Sequence, residues 1–333
     1  MRPHKEEMRG EKMGKDLRPG EKRPVTPLPG LYAPDKKTAE KVLEFFAAKI
    51  RNKNTRKAYA RAAGDFAAWC ENRGISDLGQ VRTLHVAAYI EGLGKTIAAP
   101  SVKLHLAAIR MLFDHLVVSQ VVTVNPASSV KGPKHVVKKG KTAVLSAAEA
   151  RELINAIDTE TPVGLRDRAL IGTMVYTFAR VGAVTRMRIE DVYIQGRRTW
   201  VRLLEKGGKR HEMPCHHNLE EYLEEYLASA GIDGDGKGFL FRTSRGRTGE
   251  LSTLPMAQQD VYRMIGRRAE AAGIGTKISC HSFRATGITE YLRNGGKLEV
   301  AQQMANHESA RTTGLYDRRN DRVSLDEVER ILI

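Results

Sequence analysis

The amino-acid sequence predicts a mainly α-helical protein with a small antiparallel β-sheet. Three observations support this fold class. Hydrophobic residues recur at helical spacing over most of the chain, three short strand-like runs lie close together between residues 191 and 213, and a lysine-rich segment separates two regions with enough apolar residues for a core. The length of 333 residues suits two domains. We therefore expect an N-terminal helical domain and a C-terminal α+β domain.

The composition is that of a globular protein, with 41% hydrophobic and 28% charged residues, which excludes wholesale disorder and a fibrous architecture. No uncharged apolar run approaches the roughly 20 residues that a membrane-spanning helix needs. The first residues lack the apolar core of a secretory signal. Three scattered cysteines predict free thiols in a reducing cytoplasm rather than a disulfide framework.

The net charge is strongly positive. Lys and Arg number 55 against 39 Asp and Glu, which gives +16. A surplus of this size favours a polyanionic partner, and nucleic acid is the commonest one. A basic surface without such a partner is the alternative.

Residues 1–36 are rich in Lys, Arg, Glu, Gly and Pro and predict a flexible basic tail. Residues 37–125 predict a bundle of four helices. These cover 38–52, a segment with Asn54 as its N-cap, 83–92, and a segment that begins near Pro100. An apolar stripe at helical spacing in the second helix predicts core packing rather than a platform for stacking bases. Its members are Tyr59, Ala62, Phe66 and Trp69.

Basic side chains on these helices and in the following segment predict contacts with nucleic-acid phosphates, because acidic residues are sparse around them. A solvated helix surface is the alternative. Residues 126–142 hold lysines together with Gly and Pro, and predict a basic linker that lies along a phosphate backbone or is merely flexible. The predicted contacts are Arg56, Lys57, Lys103 and Arg110 in the bundle and Lys134, Lys138 and Lys139 in the linker.

Residues 143–333 predict the second domain. Ser146 and Glu149 form a capping box that opens its first helix. Three antiparallel strands are expected over 191–194, 199–204 and 210–213, with glycines in their turns. The other helices are expected over 165–178, 219–228, 256–272, 281–293, 298–304 and 324–332.

Three features of the second domain indicate chemistry on an anion. Arg180 follows an apolar helix, and is either a surface arginine or one held for an anion. His281 and Arg284 are three residues apart near a helix N-terminus, so they share one face at the positive end of the helix dipole. Such a pair suits a phosphate. His307 and Tyr316 lie nine residues apart near the C-terminus.

In combination, these residues are far more specific than each is alone. The chain resembles the tyrosine recombinase (phage integrase-like) family from about residue 38 onward. The matching residues, in the family's order and spacing, are Arg180, Lys206 in a β-turn, His281 and Arg284 as an HxxR pair, His307 and Tyr316. The resemblance implies a four-helix core-binding domain of SAM-like fold, an α+β catalytic domain with a C-terminal helix, and a C-shaped clamp around DNA.

Two positions depart from the family pattern. Ala183 stands where the family often has a Glu or Asp that helps to orient the first arginine. Asn306 stands where the family usually has a Gly before the histidine. Neither position carries a reacting group, so the departures leave open only what orients Arg180.

The resemblance implies site-specific recombination by transesterification, without ATP, a metal or another cofactor. Tyr316 would attack a DNA phosphate and form a 3′-phosphotyrosyl link. The other implied roles are transition-state stabilisation by Arg180, Arg284 and His307, general acid catalysis by Lys206, and proton removal or phosphate orientation by His281. Lys209 is a rival of Lys206 in the same turn. Tyr291 is a weaker rival of Tyr316, because it lacks the spacing to a histidine.

Other interpretations are weaker. A zinc site is disfavoured because the candidate ligands match no usual ligand spacing. These candidates are His211, Cys215, His216 and His217. A catalytically silent DNA-binding protein on the same fold would have no need of the nucleophile. A type IB topoisomerase is disfavoured by the small helical bundle and the predicted last helix.

The resemblance also implies partners and a location. The expected partners are double-stranded DNA with an inverted-repeat recombination site and further copies of this chain, four in the synapse. The predicted helix over 324–332 would dock on a neighbouring subunit, and docking on its own domain is the alternative. We expect a cytoplasmic, nucleoid-associated protein of a bacterium or a mobile element, with no membrane partner.

Overall fold

The computed structural model describes residues 28–136, 140–205, 207–246 and 248–317. The chain forms two compact units, one ending at Val136 and the other beginning at Val137. No helix of the described residues is long and apolar enough to cross a membrane. Several predicted features lie outside the described residues. These are the tail up to residue 27, Lys138, Lys139, Lys206 and the last helix over 324–332.

Four α-helices make up most of the described N-terminal unit, as predicted. They are α1 (Lys36–Glu44), which continues into a π-helical turn (Phe45–Lys49), α2 (Lys53–Glu71), α3 (Thr83–Gly94) and α4 (Ala99–Val118). Their apolar faces enclose an aromatic core. The Phe66 ring packs edge-on against Tyr89, with ring centroids 5.1 Å apart, and against Phe113, with centroids 6.4 Å apart. The predicted apolar stripe of α2 therefore belongs to the core.

Two predictions for this unit are wrong. Asn52, not Asn54, caps α2, because the Asn52 side-chain oxygen accepts from the backbone N–H of Asn54 at 2.9 Å. The segment 28–36 is packed rather than flexible. Leu31 and Tyr32 are at most 1% exposed, and the Tyr32 hydroxyl donates to a carbonyl of α2 at 2.9 Å. Two apolar residues among charged ones were too short a pattern to reveal this anchoring.

The C-terminal unit combines helices with two small antiparallel sheets in its described residues. Its helices are α5 (Ala147–Asn155), α6 (Pro162–Tyr176), α7 (Val181–Val184), α8 (His217–Ala230), α9 (Gln258–Ala271), α10 (Cys280–Arg293), α11 (Leu298–Met304) and α12 (Ala310–Gly314). Its strands are β1 (Val192–Gln195), β2 (Arg198–Leu204), β3 (Arg210–Pro214), β4 (Arg242–Ser244) and β5 (Leu251–Pro255). The predicted capping box of Ser146 and Glu149 opens α5.

The three-stranded sheet has the order β1-β2-β3, and each strand lies within a residue of its predicted bounds. The β2–β3 hairpin is the part that matters for the site. Its strands pair up to Leu204, and the N–H of Glu205 donates to the Lys209 carbonyl at 2.9 Å to close the turn. Gly207 and Gly208 have φ angles of +83° and +79°, which glycine adopts without strain.

The β4–β5 sheet was not predicted. Strand β4 has three residues, and its register with β5 shifts between Arg242 and Ser244. The alternation of apolar and polar residues is therefore too short and irregular to indicate a strand.

Helix α10 is buried against α6, and a glycine permits their close approach. A Cβ at Gly287 would collide with the Val175 carbonyl oxygen and would lie 2.8 Å from the Phe178 ring. Phe283 and Ile288 beside it are at most 1% exposed. The absence of a side chain at Gly287 thus sets the depth at which α10 lies in the core.

Gly287→Ala is expected to destabilise the C-terminal unit by about 1–3 kcal/mol, because overpacking a tight contact forces backbone shifts. Gly266→Ala is the matched control. Gly266 is exposed in α9 with nothing within 4 Å of an added Cβ, so this change should stabilise the helix by about 0.5–1 kcal/mol. Urea denaturation followed by circular dichroism measures both. Equal free energies of unfolding for the two variants would contradict the packing described here.

Candidate active site

Arg180 lies at the N-terminus of α7 and is held by a carboxylate from the β2–β3 hairpin. Its Nη1 donates to Oε2 of Glu205 at 2.7 Å, and its backbone N–H donates to Oε1 of the same carboxylate at 3.3 Å. Glu205 is 4% exposed, whereas the Arg180 side chain is 30% exposed. The arginine is therefore anchored in the protein while part of its side chain stays accessible to a ligand.

Arg284 is 2% exposed and makes hydrogen bonds with two loops. Its guanidinium donates to the carbonyl oxygens of Phe178 and Ala305. Each carbonyl adjoins left-handed backbone, with φ of +55° at Phe178 and +46° at Asn306. One of these loops leads into α7, and the other leads directly to His307. A single buried cation thus holds the two segments that deliver Arg180 and His307 to the site.

The two histidines of the site are neutral near pH 7. Burial, followed by the positive charges of Arg284 and Arg180, lowers the pKa of both, that of His307 to about 4. His307 is 8% exposed, and its Nδ1 lies 2.9 Å from the Thr313 hydroxyl oxygen. His281 is exposed, and only part of its ring is desolvated. A neutral imidazole has one nitrogen that donates and one that accepts, so each ring can bind an oxygen or accept a proton.

Tyr316 follows α12 and is half-buried against His307. The two rings are stacked, with centroids 5.9 Å apart and planes at 8°. The Thr289 hydroxyl donates to the Tyr316 carbonyl at 3.0 Å and fixes the backbone. Burial and Arg180 lower the pKa of Arg284 to about 10, while Glu205 and Tyr316 oppose that shift. The phenol therefore lies within electrostatic reach of a guanidinium that remains a cation at neutral pH.

The turn before Tyr316 also contacts the segment at the start of the C-terminal unit. The N–H of Gly140 donates to the Leu315 carbonyl at 3.0 Å. A Cβ at Gly140 would lie 2.5 Å from that oxygen, so only glycine allows this approach. No sequence pattern predicts this contact, because the segment stands out only for its lysines.

The described structure brings five of the six predicted catalytic residues together. They are Arg180, His281, Arg284, His307 and Tyr316. The sixth, Lys206, lies outside the described residues, one position after Glu205. Sequence reasoning missed Glu205. The available signal was Ala183, because an arginine without its usual acidic neighbour needs a carboxylate from elsewhere.

The predicted DNA contacts of the N-terminal unit fall into two groups. Exposed side chains are those of Lys57, Lys103 and Lys134. Arg56 and Arg110 instead donate to backbone carbonyls: Arg56 Nε to Ile50 at 2.9 Å, and Arg110 Nε to Ala127 at 3.0 Å. These two arginines close segments of their own unit, so they have fewer donors left for phosphate. Their role at DNA stays a prediction, as it does for the lysines.

The four residues considered for zinc lie in strand β3, at the start of helix α8, or between the two. Within the described ranges, no three His, Cys, Asp or Glu side chains gather to hold a metal ion. The His216 ring stacks on Tyr176, with centroids 4.4 Å apart. His211 lies on β3 beside the site. Burial lowers its pKa, Glu205 opposes that shift, and Arg284 adds to it.

A helical unit followed by an α+β unit that gathers two arginines, two histidines and a tyrosine defines a protein of the tyrosine recombinase class. Residues 143–322 match the phage integrase family, and residues 39–121 match the phage integrase N-terminal SAM-like domain. The chain belongs to the phage integrase family.

Named relatives and solved structures agree with this assignment. The tyrosine recombinase XerC of Pelobacter propionicus is 30% identical over 277 residues, which cover 83% of this chain and 86% of that protein. XerH recombinase bound to a palindromic difH substrate in a post-cleavage complex has a TM-score of 0.68 at 14% identity, covering 91% of this chain and 96% of that one. Lambda integrase, as a tetramer bound to a Holliday junction, has a TM-score of 0.65 at 18% identity, covering 86% and 79%.

Asn306→Val is expected to destabilise the C-terminal unit by about 1–2 kcal/mol, because a β-branched side chain opposes the left-handed backbone that Asn306 adopts. Asn306→Gly is the matched control, since glycine adopts this conformation freely, and should leave the stability unchanged or raised. Denaturant unfolding of the two variants measures the difference. A valine variant as stable as the glycine variant would show that this backbone conformation is not needed.

The stability of the C-terminal unit is expected to depend on the titration of His307. Its folded pKa of about 4 lies below the unfolded value near 6.5, so the unfolded chain takes up a proton first as the pH falls. The contribution of His307 to the free energy of unfolding is fully present above pH ~6.5. It is lost as the pH falls toward ~4, by up to about 3 kcal/mol. Thermal unfolding between pH 7 and 4 measures how the stability changes with pH.

His307→Gln should make the stability less dependent on pH, whereas His217→Gln, at an exposed histidine, should not. An unchanged slope in His307→Gln would contradict the prediction.

Proposed function

We propose that this protein is a site-specific tyrosine recombinase that cuts and rejoins DNA through a 3′-phosphotyrosyl intermediate. The observation that carries the proposal is the stacking of Tyr316 on His307 within electrostatic reach of the buried Arg284. A phenol with cationic and imidazole donors around it suits attack on a phosphodiester.

In the first step, the Tyr316 phenolic oxygen forms a bond to the scissile phosphorus, and the bond from phosphorus to the 5′-oxygen breaks. The phenol gives up its proton to a neutral imidazole or to water, and the leaving 5′-oxygen takes up a proton. His281 is neutral near pH 7, so one of its ring nitrogens can accept that proton. The energy of the phosphodiester is kept in the tyrosyl ester, so the reverse attack by a 5′-hydroxyl rejoins DNA without ATP.

Arg180 and Arg284 would stabilise the negative charge that builds up on the non-bridging oxygens. Each guanidinium presents several donors in a fixed geometry. Preorganised donors of this kind are typically worth about 2.7–4 kcal/mol each. His307 would add a neutral donor beside Tyr316, where its buried ring is already positioned.

Lys206 is proposed as the general acid that protonates the leaving 5′-oxygen. Its rival Lys209 donates its Nζ to Glu308 at 3.0 Å, which supports the choice of Lys206. The neighbouring Glu205 contacts Arg180, so the residue before Lys206 is already at the site.

The expected substrate is double-stranded DNA with an inverted-repeat recombination site, bound by four copies of this chain in the synapse. The net charge of +16 and the exposed lysines of the N-terminal unit support DNA binding. The palindromic substrate of XerH and the tetramer of lambda integrase are properties of those proteins that support the same arrangement here. We propose a cytoplasmic, nucleoid-associated location in a bacterium or a host of a mobile element.

Tyr316→Phe should abolish the covalent adduct while leaving DNA binding intact, because it removes only the nucleophilic oxygen. The probe is a pool of nicked duplexes tiled across the DNA that flanks the coding sequence, and the readout is a denaturation-resistant protein–DNA band. Tyr291→Phe is the matched control, and its adduct should match that of the unmodified protein.

An adduct that persists in Tyr316→Phe would assign the chemistry to another group. Binding without any adduct from the unmodified protein would favour the catalytically silent DNA-binding alternative. Relaxation of supercoiled plasmid without strand exchange would favour a topoisomerase-like activity.

A further inference from the structure

Arg180 makes two hydrogen bonds with one residue, Glu205. The Glu205 carboxylate accepts from the Arg180 guanidinium at 2.7 Å and from its backbone N–H at 3.3 Å. The contact therefore fixes both the main chain at the start of α7 and the direction of the side chain. Among the described residues, Glu205 is the carboxylate paired with Arg180.

The position that often supplies an acid in the family supplies none here. Ala183 is 2% exposed, and its methyl group packs in the core of the C-terminal unit. A methyl group cannot accept a hydrogen bond from a guanidinium, so the side chain of Ala183 cannot orient Arg180. The orientation of Arg180 must come from another element, and the β2–β3 hairpin provides it.

Glu205 is itself rigidly placed. Its N–H donates to the Lys209 carbonyl at 2.9 Å, and its carbonyl accepts from the N–H of Gly208 at 3.2 Å. It is 4% exposed, and a buried carboxylate is costly unless it is paired, so Arg180 is a required partner rather than an occasional one. The Glu212–Arg202 pair of the same hairpin differs, since those side chains are 42% and 34% exposed.

The charge of Glu205 also offsets repulsion between the two arginines. Burial is the main cause that lowers the pKa of Arg284; Arg180 lowers it further and Glu205 raises it, so the carboxylate acts on both guanidiniums. The neutral histidines supply no negative charge. Among the described residues, Glu205 is thus a negative charge that offsets the repulsion between the two guanidiniums.

We propose that Glu205 is the positioning residue of this active site, and that it replaces, from the hairpin, the acidic residue that is absent at Ala183. This inference rests on the proposed function. Glu205 acts through Arg180 and directs its guanidinium at the scissile phosphate.

The test measures single-turnover adduct formation by the full-length chain on a nicked duplex that the unmodified protein cleaves. Glu205→Gln keeps the shape but removes the charge, and should slow cleavage by about 10- to 100-fold with DNA affinity unchanged. Glu212→Gln removes a carboxylate from the same hairpin and should cleave at the normal rate. In an Arg180→Ala background, Glu205→Gln should cause no further loss, because its effect passes through that arginine.

A second measurement is independent of how much of a variant is folded. The same duplex is made with a methylphosphonate at the scissile position, where a methyl group replaces a charged non-bridging oxygen. The ratio of cleavage rates for phosphate over methylphosphonate cancels the active fraction. Glu205→Gln and Arg180→Ala should both lower this ratio by about tenfold or more. The transition state of the methylphosphonate carries less negative charge, so its cleavage depends less on a positioned guanidinium.

Three results would overturn the proposal: cleavage by Glu205→Gln within threefold of normal, losses that multiply in the double variant, or an unchanged phosphate-to-methylphosphonate ratio. Each of these leaves the recombinase assignment intact, because the unmodified protein still forms its adduct. Failure of the unmodified protein to form any adduct would instead remove the proposed function and this inference with it.

Discussion

The active site depends on one buried guanidinium. Arg284 is held in α10 at 2% exposure, and it donates to the carbonyls of Phe178 and Ala305. An unpaired buried cation would be very costly, so the two loops must keep these carbonyls in place, and the loops in turn depend on the cation. Gly287 sets the depth of the helix, and hence the position of the guanidinium. The packing of α10 on α6 therefore determines where the Arg284 guanidinium lies relative to the rest of the site.

The charges of this site suit a phosphate before any DNA is bound. Two guanidiniums and one carboxylate leave a single net positive charge among the described groups, since His281 and His307 are neutral near pH 7. Each imidazole stays neutral because burial and nearby cations disfavour its protonated form. A phosphodiester carries one negative charge, so its binding would neutralise the net positive charge of these groups.

The sequence predicts most of the architecture and the clustered residues, and it fails where local patterns are weak. Helical periodicity and the spacing of His281, Arg284 and Tyr316 are strong signals, since each reflects many residues or a distinctive combination. Asn52 was missed as a cap because two asparagines stand two positions apart and propensity does not separate them. Glu205 was missed because its partner lies 25 residues away, and such a pairing is created by the fold rather than by spacing.

The contact between Gly140 and Leu315 has a consequence for dissecting the molecule. The family match of the C-terminal unit begins at residue 143, so a boundary drawn from that match alone would place Gly140 outside the catalytic part. Yet this glycine braces the turn that carries Tyr316. A truncated polypeptide starting at 143 would keep every proposed catalytic residue and lose the hydrogen bond from Gly140 to the Leu315 carbonyl, next to Tyr316. Fragments made for crystallisation or kinetics should therefore start upstream of residue 140.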